Sequence, residues 1–103
     1  MNRELAVSQA ELAEIRAILT RHVPEDVQVW AFGSRTGGNP KPWSDLDLAL
    51  SGPQPIAIAT LGALADDFSE SSLPWKVDLV DRASVSADFA AIIDRSKVPL
   101  YPA

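Results

Sequence analysis

The stretch from Phe32 to Ser51, Phe-Gly-Ser-Arg-Thr-Gly-Gly-Asn-Pro-Lys-Pro-Trp-Ser-Asp-Leu-Asp-Leu-Ala-Leu-Ser, constrains this chain more than any other. An apolar, strand-like run (Val27, Val29, Ala31) leads into Gly33-Ser34. Ten residues rich in glycine, proline and small polar side chains follow, and Asp45-Leu46-Asp47 then opens a second strand that runs to Ser51. Side chains at i and i+2 of a strand share a face. Asp45 and Asp47 are therefore expected side by side, with Leu46, Leu48 and Leu50 packing inward on the other face. Two carboxylates this close repel each other unless a cation sits between them or water screens both. Because Gly33 ends one strand and Asp45 begins the next, antiparallel pairing brings the glycine turn and the carboxylates to one edge of a sheet.

That juxtaposition has a chemical reading. Mg²⁺ prefers hard oxygen ligands and is commonly held by one or two carboxylates together with substrate phosphates. Two such ions about 4 Å apart can clamp the attacking and leaving oxygens of an in-line phosphoryl displacement. Gly33-Ser34 and the turn after them can offer backbone N–H groups to phosphate oxygens, with glycine permitting the close approach. A phosphate cradle and a metal-binding pair on one continuous stretch describe a nucleotide site. Against it stands the simpler reading, in which acidic residues decorate a solvated strand face. Aspartate is depleted in strands, which favours the site.

The composition excludes other classes. A chain of 103 residues is expected to form one small domain, spanning 1–103, with a single modest core. It has no cysteine and one histidine, so disulfide frameworks, thiolate zinc sites and histidine clusters are out. No apolar run approaches membrane-spanning length and the N-terminal residues lack a signal-peptide pattern, so no membrane is involved and a cytoplasmic location is expected. Nine basic residues scattered against fourteen acidic ones, net −5, give no basic stripe for direct nucleic-acid contact.

Around this core stretch, Ser8-Gln9-Ala10-Glu11 reads as a capping box for a helix with Leu12, Ile15, Ile18 and Leu19 on its apolar face, ending near His22 before Pro24. His22 suits the helix C-terminus. A second helix carries Ala57, Leu61, Leu64, Ala65 and Phe68 to about Glu70, with Pro55 in its first turn. Trp75 to Val80 reads as a third strand. A strand–helix–strand connection favours a parallel, right-handed crossover, which sets the third strand beside the second and Asp78 near Asp45 and Asp47. Asp81 competes for that place but points to the opposite face. Ser84 or Ser86 can cap a last helix (Val85, Phe89, Ile92, Ile93), and Lys97 to Tyr101 form an extended tail. Trp30 and Trp75 are read as core, and Trp43 as a base-stacking group or a half-buried lid.

Gly33-Ser34, ten residues and Asp45-x-Asp47 resemble the signature of the DNA polymerase-β-type nucleotidyltransferase superfamily. The flanking Arg35, Gly38, Pro42 and Ser44 and the following Leu-Ala-Leu are most similar to its smallest members, the minimal nucleotidyltransferases, which often carry a basic residue where this chain has Gly37. The resemblance implies an α+β fold, a small mixed sheet with helices packed on one side. It implies transfer of AMP from ATP to an acceptor hydroxyl. Asp45, Asp47 and Asp78 would be the catalytic and metal-binding residues for two Mg²⁺ ions, Asp78 also serving as general base. Gly33, Ser34 and Arg35 would contact the nucleotide. Similar minimal nucleotidyltransferases pair with a helical HEPN toxin, acting as antitoxins of type VII-like pairs by adenylylating a tyrosine on it. Two rivals are an antitoxin that neutralises its partner by binding alone and a regulatory subunit that binds ATP without transferring it.

Overall fold

The computed structural model describes residues 5–37 and 40–102. Helix α1 (Gln9–His22) is followed by strands β1 (Gln28–Phe32) and β2 (Leu46–Ser51), helix α2 (Ile58–Ser69), strand β3 (Val77–Asp81), a 3-10 turn over Arg82–Ser84, helix α3 (Ala87–Ser96) and strand β4 (Val98–Tyr101). The expected capping box is formed. Ser8 Oγ accepts from the Glu11 N–H at 3.0 Å, and the Glu11 carboxylate accepts from the Ser8 N–H at 2.8 Å, which satisfies N–H groups that the first helical turn leaves unpaired.

The sheet has the order β3-β2-β1-β4. β1 pairs antiparallel with β2 and with β4, and β2 pairs parallel with β3. The antiparallel hairpin and the parallel crossover are those expected from the sequence, and the tail residues expected to be extended form the edge strand β4. Leu46, Leu48 and Leu50 are fully buried on the face that α1 and α2 cover, together with Ile15, Leu19, Val29 and Leu64. Each such side chain removed from water is worth about 1.5–3 kcal/mol, so this layer fixes which face of β2 turns inward and leaves Asp47 on the other.

Two of the three helices lie on one side of the sheet. α3 lies against the opposite face, where Ile93 packs on Phe32 and Ala49 with Trp30, Val80 and Val85 around them. Residues at odd and even strand positions face opposite ways, and the second face carries enough apolar surface at Phe32, Ala49 and Val80 to need a cover of its own. Of the expected α3 stripe only Ile93 is buried, while Phe89 and Ile92 remain 37% and 47% exposed. Phe89 meets Phe32 edge-on, with ring centroids 5.9 Å apart.

Pro55 precedes α2 instead of lying in its first turn. The Ile56 N–H is held at 2.8 Å by the Asp81 carboxylate, so the linker stays extended until Ala57 caps the helix. His22, at the end of α1, also does more than face a helix dipole: its Nε2 lies 2.6 Å from Asp67 on α2, which Arg21 contacts as well.

Candidate active site

The antiparallel register places Phe32 opposite Asp47, so the chain leaves β1 beside the carboxylate pair. At Gly33 it turns with φ +87°, a conformation open to glycine but strained for other residues. A side chain has no room there either, because a Cβ on Gly33 would lie 2.5 Å from Asp47 Oδ2. The turn is closed by Thr36, whose N–H and hydroxyl donate to the Gly33 carbonyl at 3.1 and 2.8 Å. The glycine is thus required twice, by its backbone and by the carboxylate it lies against.

Asp45 is exposed at the mouth of β2 and Asp47 is half-buried one residue pair further in. The parallel register sets Asp47 directly beside Asp78, on strands that neighbour each other at about 4.8 Å. Burial, then the charge of Asp78 and then that of Asp45 push the Asp47 carboxyl above its ordinary range. Charge repulsion of this kind is what a divalent cation relieves. The donors are all hard oxygens, Asp47 and Asp78 on adjoining strands and Asp45 one residue before β2, so in type and backbone placement they fit Mg²⁺.

Among the described residues no three acidic or histidine side chains are already gathered as a metal cage. Asp78 Oδ1 instead contacts Lys76 Nζ at 3.4 Å. The backbone register is in place, and the side chain of Asp78 is held in this exposed ion pair.

Asp81, the competing carboxylate, is buried on the other face, accepting from the Ile56 N–H and from the Ala83 N–H at 3.0 Å. It ties the α2 linker to the turn after β3 and does not reach the carboxylate cluster. Ser34 is exposed beside Gly33.

Arg35 departs from its expected role as a phosphate contact. It is buried, its Nε donates to Ser44 O at 2.9 Å, its Nη1 to Ala6 O at 2.9 Å and its Nη2 to Pro42 O at 3.1 Å, and its guanidinium stacks 4.5 Å from the centre of the Trp75 ring. All three nitrogens are engaged with carbonyls. Its planar fork draws the two ends of the loop together and sets the approach to Asp45. Gly38, part of the family resemblance, lies outside the described residues.

Three participants were not foreseen. Ser96, at the end of α3, accepts from the Gly33 N–H at 3.3 Å; nothing in the sequence links positions so far apart. Thr36 carries no sequence signal beyond its place in a loop of small polar residues. Lys76 had a signal, since it lies two residues before Asp78 and so shares its face. Trp43 is 70% exposed, neither a lid nor core, with Lys41 Nζ 5.5 Å from its ring.

Residues 12–101 match the family described as nucleotidyltransferase domain. The chain is 48% identical over 90 residues to the probable protein adenylyltransferase MntA of Haemophilus influenzae, covering 87% of this chain and 78% of that protein. Its fold is similar to a crystal structure of a toxin–antitoxin with AMP-PNP (TM-score 0.69, 24% identity, 89% of this chain and 73% of that one). It is also similar to a chain in the structure of a tri-AMPylated Shewanella oneidensis HEPN toxin in complex with MNT antitoxin (TM-score 0.69, 24% identity, 92% of this chain and 72% of that one covered). At these identities the solved structures show likeness of fold alone.

Proposed function

Since this chain belongs to the nucleotidyltransferase domain family, we propose that it transfers AMP from ATP to a hydroxyl, a tyrosine's in the first instance, of a HEPN-type partner protein and thereby acts as an antitoxin. The observation that carries this reading is the register of Asp47 beside Asp78 at the foot of the Gly33 turn.

Asp45 and Asp47 are the residues to hold two Mg²⁺ ions, with Asp78 joining them at one. When bound, the metals supply charge neutralisation of the triphosphate and polarisation of the α-phosphate. The remaining steps belong to the chain. Backbone N–H groups of the Gly33-Ser34 turn orient the phosphates, Gly33 releasing Ser96 to do so. Asp78 accepts the proton of the acceptor hydroxyl. The hydroxyl oxygen bonds to the α-phosphorus, the α–β bridging P–O bond breaks, and pyrophosphate leaves. Arg35 positions the loop from behind without touching phosphate.

The partner is supported by the relative named as a probable protein adenylyltransferase, and by the net charge of −5, which suits a basic partner surface. The test is the intact mass of a HEPN-type protein from the same organism after incubation with this chain, ATP and Mg²⁺, with Asp45→Asn/Asp47→Asn as control. Added AMP with the wild type and none with the double variant supports the reading. A stable complex with no added mass overturns transfer and leaves neutralisation by binding alone.

A further inference from the structure

The sheet ends at β3, and its outer edge carries an opening next to the site. Leu46 donates to Lys76 O at 2.9 Å. In a parallel ladder this phase turns the backbones of Asp78 and Val80 toward β2 and leaves those of Val77 and Leu79 pointing outward. Among the described residues nothing pairs with that edge. Beside it lies a groove of about 380 Å³, walled by Ile58, Leu61, Gly62 and Ala65 of α2 and floored by Val77 and Leu79, with Asp78 at its rim. Ile58 is 88% exposed.

Gly62 is the informative residue. Glycine within a helix costs about 1 kcal/mol relative to alanine, and here no packing requires it, since a Cβ at Gly62 meets nothing within 4 Å. What its missing side chain does is keep the groove open.

We propose that the β3 edge is the acceptor's docking strand: an extended segment of the acceptor protein pairs with Val77 and Leu79 and presents its hydroxyl residue to Asp78. This rests on the transfer reading above. Three observations identify the occupant. The unpaired backbone groups call for a strand. The groove runs along the strand that bears Asp78, the residue that takes the hydroxyl proton. The alternation of a paired strand then fixes the side chains, because a residue opposite Asp78 shares its face, while its two neighbours point into the groove beside Ile58, Leu61 and Gly62. The segment is thus a hydroxyl residue flanked on both sides by apolar residues. The negative charge of Asp78, with Asp45 and Asp47 beyond it on the neighbouring strand's side, favours basic residues further out along the segment.

Two variants test this without threatening the fold. Gly62→Leu fills the groove and improves helix propensity, and Ile58→Glu places an acidic side chain in the first turn of α2, where the helix dipole favours it. Both are expected to melt no lower than wild type. Both should raise the KM for the HEPN acceptor by about tenfold or more, as loss of a central apolar anchor does, with the KM for ATP changed less than about twofold. Residue-resolved amide exchange supplies a readout independent of turnover: Val77 and Leu79 should become protected when the HEPN protein is added. An acceptor KM unchanged in both variants overturns the proposal. So does a failure of those two amides to gain protection, whether or not a complex forms. If wild type transfers no AMP, the transfer reading fails by itself, and amide protection still decides where the partner docks.

Discussion

Gly33→Ala separates the two demands that the structure makes at the turn. A non-glycine residue in the left-handed region costs about 1–2 kcal/mol. A domain of this size loses about 4–8 °C of melting temperature per kcal/mol. The variant is therefore expected to melt roughly 4–16 °C below wild type from backbone strain alone. The second demand is steric. The new Cβ would stand 2.5 Å from Asp47 Oδ2, and because that oxygen ends a rotatable side chain, the contact is relieved by turning the carboxylate rather than by unfolding. Turning it takes Asp47 away from its neighbours, so Mg²⁺-dependent ATP binding should fall further than stability does. The Asp47→Ala background tells the effects apart. There the nearest remaining atom is Asp47 Cβ at 3.7 Å, ordinary van der Waals contact, so the backbone cost persists and the steric one vanishes. Circular-dichroism melts of the four proteins of this cycle, with titration of a fluorescent ATP analogue into wild type and Gly33→Ala, make the measurement. A melting temperature within about 2 °C of wild type refutes the backbone cost. Undiminished ATP binding by Gly33→Ala refutes the coupling between turn and carboxylate.

Asp78→Ala and Asp81→Ala should fail in opposite ways. The first is expected to keep wild-type stability and lose AMP transfer. The second should lose about 1–2 kcal/mol, with two part-buried N–H groups left without their charged acceptor, and keep transfer wherever it remains folded; melts and intact-mass assays on both decide. Arg35→Lys should destabilise by about 2–3 kcal/mol, because an ammonium cannot reach carbonyls on several sides at once, and denaturant titration checks it. Asp47→Asn should melt above wild type at neutral pH in Mg²⁺-free buffer. The raised pKa means that the folded carboxyl holds its proton to higher pH than the unfolded chain does. Wild type therefore loses stability as pH climbs through the folded-state pKa, and the gap between the two proteins should close as pH falls below the unfolded value. A gap independent of pH would contradict that cause.

The sequence determined the skeleton because its signals are local and periodic. The Ser8–Glu11 capping box, the alternation that buries Leu46, Leu48 and Leu50, and the glycine turn leading to Asp45-x-Asp47 each act within a few residues. Physics at that range leaves few alternatives. Strand–helix–strand chirality extended this to one long-range statement, that β3 lies parallel to β2 with Asp78 beside Asp47. Register depends on every pair along both strands, and the apolar face of β2 leaves little freedom to slip.

Only the tertiary structure decided what the polar side chains do. Arg35 reads from sequence as a free cation beside a phosphate loop, yet burial over Trp75 commits its nitrogens to carbonyls. Asp81 and Asp78 differ in the sequence only by position in a strand, and the fold makes one a buried brace and leaves the other at an open edge. Ser96 meets Gly33 only because α3 crosses to the second face of the sheet. A long polar side chain has many partners within reach, and which one it takes is settled by whatever the fold brings beside it after the backbone is set.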